Sequence, residues 1–301
     1  KAPWRGAPSF ALRLNMTDSD GNTTAIESDE SFKVCDSPIL FDDYRCGEYY
    51  DARLEISDFH TVDFDDSGFK NAVRTSAPRG KKRLCTADPV RIYGELKPVS
   101  VTRAENGWLY DFGENNTGVC RLSVNAKAGQ KITLRYGEWL KDGKLCLDNI
   151  RFSQQSDLQK DFVQKSEYIC KDGNQTHTPS FIYNGFRYVM AEGITEEQAN
   201  ADLLTYLKIS SLPDCAGEFA CSDEVINKIQ EAAVRSDISN FNYFPTDCPQ
   251  REKNGWTADA SLSAEQMLLN LYPEKCYKEW MRSIYKALSD NGQLPGIIPT
   301  G

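Results

Sequence analysis

Residues 211–229 read Ser-Leu-Pro-Asp-Cys-Ala-Gly-Glu-Phe-Ala-Cys-Ser-Asp-Glu-Val-Ile-Asn-Lys-Ile, and they divide the chain. Before them the apolar residues alternate, as strands require. After them they recur at helical spacing. Ser222 suits a helix cap, and Asp223 and Glu224 place acids where a helix N-terminus favours them. Val225, Ile226, Ile229, Ala232, Ala233 and Ile238 then fall on one helical stripe. A second helix is expected from about 258 to 271. A third starts at Pro273 and shows Cys276, Tyr277, Trp280, Met281, Ile284 and Leu288 on one face until Asp290-Asn-Gly ends it. Three helices bury three apolar stripes poorly, so this region reads as the opening of a larger helical domain.

Upstream the pattern is β throughout. Phe10-Ala-Leu-Arg-Leu14 alternates and Asp18-Ser-Asp-Gly-Asn22 turns. Short runs follow at Phe32-Lys-Val34 and from Tyr49 to Ile56. From about Val99 the signal strengthens. Cys120, Leu122 and Val124 alternate, Lys127-Ala-Gly-Gln130 turns, and Ile132, Leu134 and Tyr136 alternate again, which reads as a hairpin. Phe181-Ile-Tyr183 and Phe186-Arg-Tyr-Val189 read as two strands bent at Asn184-Gly185. The expected fold class is therefore multidomain. An antiparallel β-sandwich domain covers 1–98, a second covers 99–208, and the helical region covers 212–301.

Composition narrows the function. The chain has 301 residues, 40% hydrophobic and 26% charged, enough for two or three folded domains. The net charge of −9 argues against a nucleic-acid surface. The basic run Arg79-Gly-Lys-Lys-Arg83 lacks aromatic neighbours and reads as a solvated loop. No apolar run is long enough to span a bilayer. The ten cysteines form no Cys-x-x-Cys pair and only His60 and His177 could join them, so a zinc site is not expected and reduced, buried thiols are. Lys1-Ala-Pro-Trp-Arg5 reads as the middle of a longer chain rather than its start.

One stretch carries chemistry. Pro245-Thr-Asp-Cys-Pro-Gln-Arg-Glu-Lys-Asn-Gly-Trp-Thr-Ala-Asp259 sets Asp247, Glu252 and Asp259 beside Arg251 and Trp256. Carboxylates, a guanidinium and an indole are what a sugar-cleaving site needs: proton transfer, hydroxyl recognition, and a flat apolar face for a pyranose ring. Each residue also has a plain structural alternative. Asp247 with Glu252 suits a solvated surface pair, Asp259 a helix N-terminus, Trp256 a core and Arg251 a salt bridge. Cys248 has no histidine beside it and reads as packing.

Taken together, these residues resemble the bacterial α-L-rhamnosidases of glycoside hydrolase family 78. Asp247-Cys-Pro-Gln-Arg-Glu252 with Gly255-Trp256 and Asp259 is similar to that family's site motif. Gly47-Glu-Tyr-Tyr-Asp-Ala-Arg53, Asp111-Phe-Gly-Glu-Asn-Asn-Thr-Gly118, Tyr183-Asn-Gly-Phe-Arg-Tyr188 and Gly217-Glu-Phe219 resemble its upstream motifs, in the family's order. The resemblance implies that the helices open an (α/α)6 barrel and that terminal α-L-rhamnose is released with inversion. Glu252 would be the general acid, and Asp247, Arg251, Trp256 and Asp259 would line the sugar subsite. The family's general base would lie beyond Gly301, so the chain alone is expected to be inactive. Ala258 stands where the family usually has Gly, and a helical conformation there would tolerate it.

A general acid must keep its proton. Burial against Trp256 and neighbouring acids are expected to favour that for Glu252, with Arg251 paired to one of the aspartates. In an inverting pair the carboxyls stand roughly 6.5 to 9.5 Å apart, leaving room for the attacking water. The expected partner is a rhamnose-containing glycoside or polysaccharide, with no nucleic acid and no membrane span. No cofactor is expected, and a structural calcium in a β domain stays compatible with the sequence. A periplasmic or secreted bacterial location is favoured over a cytoplasmic one. Two other readings compete: a non-catalytic carbohydrate-binding or domain-packing module, and an (α/α)6 glycosidase of other sugar specificity.

Overall fold

A computed structural model describes residues 9–76, 81–150 and 163–299. Its strands are β1 (Arg13–Thr17), β2 (Thr23–Glu27), β3 (Lys33–Val34), β4 (Ile39–Asp43), β5 (Gly47–Asp51), β6 (Lys70–Asn71), β7 (Arg91–Leu96), β8 (Ser100–Ala104) and β9 (Gly107–Ala126). Then come β10 (Lys131–Gly137), β11 (Trp139–Lys141), β12 (Lys144–Cys146), β13 (Lys165–Ile169), β14 (Gly173–His177), β15 (Asn184–Glu192) and β16 (Leu204–Ser210). Helices α1 (Glu224–Ser239), α2 (Thr257–Asn270) and α3 (Glu274–Ala287) follow, with a small ribbon of β17 (Phe241–Asn242) and β18 (Phe244–Pro245) after α1.

Two compact units divide these elements: 1–37 with 54–84, and 38–53 with 85–301. The first holds two short ribbons. β1 and β2 form a hairpin whose turn is fastened by Asp18, which accepts from the N–H groups of Asp20 and Asn22. β3 pairs with β6. Of the basic run 79–83, residues 81–83 are exposed, and 79–80 lie outside the described residues, as do residues 1–5.

The second unit is built on one curled ten-stranded sheet in the order β4-β5-β13-β10-β15-β9-β16-β7, with β8 and β14 also paired to β9. This differs from two antiparallel sandwiches. Apart from β6 and the β11–β12 ribbon, the strands from 39 to 210 join one sheet, and β5 lies parallel to β13. β9 makes the curl. Its first half pairs with β8 and β15, and its second half with β16 and β14. The expected hairpin of β9 and β10 does not form. β15 lies between the two strands, pairing with β10 and the first half of β9, while the Cys120–Val124 half of β9 is taken by β16 and β14. Phe181–Tyr183 is likewise not a strand, and β15 begins only at Asn184.

Inside the curl lies the main core. Phe186 stacks on Tyr206 with ring centroids 4.0 Å apart, and Phe112 meets Tyr206 edge-on at 5.4 Å. Each such buried aromatic contributes roughly 1.5–3 kcal/mol. Two of the motif stretches meet here by cross-strand pairing. Arg187 grips the Asp111 carboxylate through two hydrogen bonds of 2.7 and 2.9 Å, which holds that carboxyl below its ordinary range. Glu48 is buried and accepts from Ser180 N–H, and His177 lies 3.0 Å from its other oxygen. Asp51 is held by Arg53 at 2.9 and 2.7 Å. These motifs are therefore structural clasps in the sheet.

The helices attach to the sheet through a second cluster. Leu212, Ile238, Phe241, Met267, Leu271 and Cys276 are buried together. Orphan carbonyls at the end of α1 find donors on the sheet. Ser210 Oγ donates to Ile238 O at 2.7 Å, and Thr117 Oγ1 to Ser239 O at 2.6 Å. At the other end the cap is Asp223 rather than Ser222. Its carboxylate accepts from Val225 N–H at 2.8 Å. Pro273 is the cap of α3, one position before the helix proper. Ala258 is helical within α2 and has no positive φ. All ten cysteines are free thiols. Among the described residues no group of three or more potential ligands is placed to hold a metal, and no helix is long and apolar enough to cross a membrane.

Candidate active site

The stretch from Thr246 to Trp256 closes on itself between β18 and α2. Asp247 N–H donates to Asn254 O at 2.9 Å, and Asn254 N–H returns to Asp247 Oδ1 at 2.8 Å. Inside this ring Cys248 acts in both directions. Its thiol donates to Asp247 Oδ2 at 3.1 Å, and its sulfur accepts from Glu252 N–H at 3.2 Å. Burial pushes the Cys248 thiol up, which keeps the proton it donates.

Glu252 sits at the centre, its side chain 14% exposed. Trp256 Nε1–H donates to Oε2 at 2.9 Å, and Arg251 Nη2 reaches Oε1 at 3.2 Å. Arg251 thus pairs with Glu252 and not with an aspartate. Both oxygens of Asp247 are engaged inside the loop, so the guanidinium turns to its sequence neighbour. Asp247, Arg251, Glu252 and Trp256 form one hydrogen-bonded group. Asp259 does not join them. It is exposed in the first turn of α2, where its charge suits the helix N-terminus.

Three supports hold the loop from outside. Gly185 of β15 lies under it, and a Cβ there would stand 2.7 Å from Pro249 Cγ and 3.0 Å from Gln250 N. Gly255 packs against Ile298, whose N–H donates to Gly255 O at 2.8 Å. Trp280 Nε1–H fixes that partner by donating to Ile298 O at 2.7 Å. The third support comes from the turn between β4 and β5. Arg45 donates to Glu252 O at 2.8 Å and to Asn254 Oδ1 at 2.7 Å. Sequence reasoning missed Arg45 and also Lys253, whose ammonium donates to the carbonyls of Tyr44 and Tyr183. A lysine inside a polar loop looks solvated, and nothing in the order of residues links position 45 to position 252. A polar depression lined by Asn125, Gln130, Gln198 and Asn200 shares no residue with this loop, and its amides bond to one another, to Asn174 or to backbone.

Comparison with known families accounts for nearly the whole chain. The α-L-rhamnosidase N-terminal domain matches residues 1–94, the bacterial α-L-rhamnosidase concanavalin-like domain 101–210, and the bacterial α-L-rhamnosidase six-hairpin glycosidase domain 214–301. The chain belongs to the bacterial α-L-rhamnosidase family. An α-L-rhamnosidase of Formosa agariphila is 32% identical over 98% of the chain. The chain spans about 31% of that relative's length. The α-L-rhamnosidase structure from Dictyoglumus thermophilum superposes with a TM-score of 0.86 at 33% identity, over 93% of this chain and 31% of its own. The Streptomyces avermitilis α-L-rhamnosidase complexed with L-rhamnose gives 0.84 at 26% identity, over 96% of this chain and 28% of its own. The six-hairpin glycosidase match contains the whole Thr246–Trp256 loop.

Proposed function

We propose that this chain is the acid-bearing portion of an α-L-rhamnosidase that releases terminal α-L-rhamnose from glycosides or polysaccharides with inversion. The observation that carries the proposal is the Glu252 carboxyl, largely shielded and oriented by an indole N–H within the glycosidase-domain match. Glu252 serves as general acid. Oε2 is taken by Trp256, so the proton to be delivered sits on Oε1. Arg251 leaves that oxygen for a substrate hydroxyl, which its solvent-facing side chain permits. Asp247 accepts sugar hydroxyl protons with its remaining lone pairs, Trp256 offers its ring face, and Asp259 binds from the rim of α2. The general base is expected outside residues 1–301, and the chain alone is expected to be inactive.

The helices are read as the first arc of an (α/α)6 barrel. Val225, Ile226 and Ile229 of α1, and Leu262, Leu268 and Leu269 of α2, are apolar yet exposed, as helix faces awaiting further helices would be. The division at 1–98, 99–208 and 212–301 belongs to the same reading, as do a periplasmic or secreted location and the lack of a cofactor. The test is to assay the intact gene product on p-nitrophenyl glycosides that differ only in the sugar. Hydrolysis of the α-L-rhamnoside alone is expected. Preferential hydrolysis of another glycone, or of none, overturns the assignment.

A further inference from the structure

Lys253 follows Glu252, and the two side chains face opposite environments. Glu252 turns to Trp256, whereas Lys253 is 1% exposed. Its ammonium donates to the carbonyl oxygens of Tyr44 and Tyr183 and stands 4.5 Å from the Tyr183 ring centroid and 5.9 Å from that of Tyr44. Among the described residues it makes no direct salt bridge, and the Asp43 carboxylate acts on it from a distance. An ammonium buried without a direct ion pair is costly, and burial pulls Lys253 down to about 7 although the Asp43 charge opposes that shift. Carbonyl dipoles and aromatic faces offset that cost only in part.

The backbone carries a second cost at the same residue. Lys253 has φ of 54°, in the left-handed region that residues with a Cβ seldom adopt. That conformation reverses the chain between Glu252 and Asn254. It lets Asn254 N–H close on Asp247 and lets Trp256 reach back to Glu252. Arg45 fixes the same reversal by gripping Glu252 O and Asn254 Oδ1. Both grips share one turn, Tyr44-Arg45, whose Arg45 stands 207 positions before Glu252 in the chain.

We propose that Lys253, with Arg45, is a positioning clamp that ties the loop to the β4–β5 turn and so aims the Glu252 carboxyl at the glycosidic oxygen. The proposal rests on Glu252 being the acid. Lys253 touches no substrate. It acts by holding the left-handed turn from which Glu252 projects. Without the ammonium the turn relaxes, Trp256 loses its carboxylate partner, and proton delivery is misaimed.

The test uses Lys253→Met in the intact gene product, since Met keeps the apolar stem and loses every donor. Arg45→Gln serves as a second variant in case the first fails to fold. A misaimed acid hurts poor leaving groups most, because activated ones depart without a proton. We expect kcat/KM on an alkyl rhamnoside to fall ~10²-fold, with a dinitrophenyl rhamnoside barely affected. A merely destabilised enzyme loses both alike. Independently of activity, the Trp256 indole N–H resonance, assigned by Trp256→Phe, is expected to shift in both variants. Folded variants that keep the wild-type indole resonance and an unchanged leaving-group dependence overturn the clamp. If the wild type cleaves no rhamnoside, the functional reading fails, and the indole resonance still decides the clamp.

Discussion

Gly185→Ala probes how the sheet sets the acid loop. The added Cβ would stand 2.7 Å from Pro249 Cγ, 3.0 Å from Gln250 N and 3.2 Å from Gln250 Cβ. Ordinary contact begins near 3.4 Å, so the loop must withdraw by several tenths of an ångström. One of the crowded atoms is backbone, and the ring beside it is locked, so no flexible side-chain end can absorb the shift. Overpacking of this kind costs about 1–3 kcal/mol. The gain in strand propensity on replacing Gly returns at most ~1 kcal/mol. The same displacement moves Glu252, two residues beyond Gln250. Misplacement approaching an ångström costs up to ~10²-fold in rate. The assays are urea unfolding and kcat/KM on an α-L-rhamnoside in the intact gene product, with Gly217→Ala as a control, since nothing lies within 4 Å of a Cβ there. A rate loss of at least ~10-fold in Gly185→Ala, with the control unchanged, is expected from that displacement. Wild-type rate and stability in Gly185→Ala would refute the argument that β15 seats the loop.

Two further outcomes follow from the helical region. The Asp237 carboxyl is 5% exposed, accepts from Gln266 Nε2 at 2.6 Å, and is pushed up to about 6 by burial. The folded chain therefore holds a proton that the unfolded chain releases from 3.8 upward, so stability from this group falls as pH rises from about 4 to 6. Asp237→Asn should raise stability at pH 7 by roughly 1–3 kcal/mol and flatten that fall, as read by thermal melts across the window. Phe241 is fully buried where the helices meet the sheet, edge-on to Tyr277 at 5.6 Å. Phe241→Ala should cost about 3–5 kcal/mol in urea unfolding.

Local signals in the sequence were good guides and long-range ones were not. The switch near Ser211 and all three helices are legible, because helical spacing and end residues act within a few positions. The pairing of β9 was not. Alternation marks a strand but carries no label for its neighbour, so Leu122 looks ready for a hairpin with Leu134 while β14 and β16 take its two edges. At the loop, the grouping of Asp247, Arg251, Glu252 and Trp256 could be read from one motif. The partner of Arg251 could not, since it depends on Asp247 being already engaged by Cys248 and Asn254. Arg45 and Lys253 belong to the same limit. Their bonds join segments about two hundred residues apart, and only the folded sheet brings them together.

The most direct measurement compares Glu252→Gln with wild type in the intact gene product on two rhamnosides, one with an alkyl and one with a dinitrophenyl leaving group. Gln keeps the Trp256 hydrogen bond through its carbonyl and cannot deliver a proton. The account predicts a loss of ~10²–10⁴-fold on the alkyl rhamnoside and near wild-type turnover of the dinitrophenyl one. Equal activity of variant and wild type on the alkyl rhamnoside would contradict it.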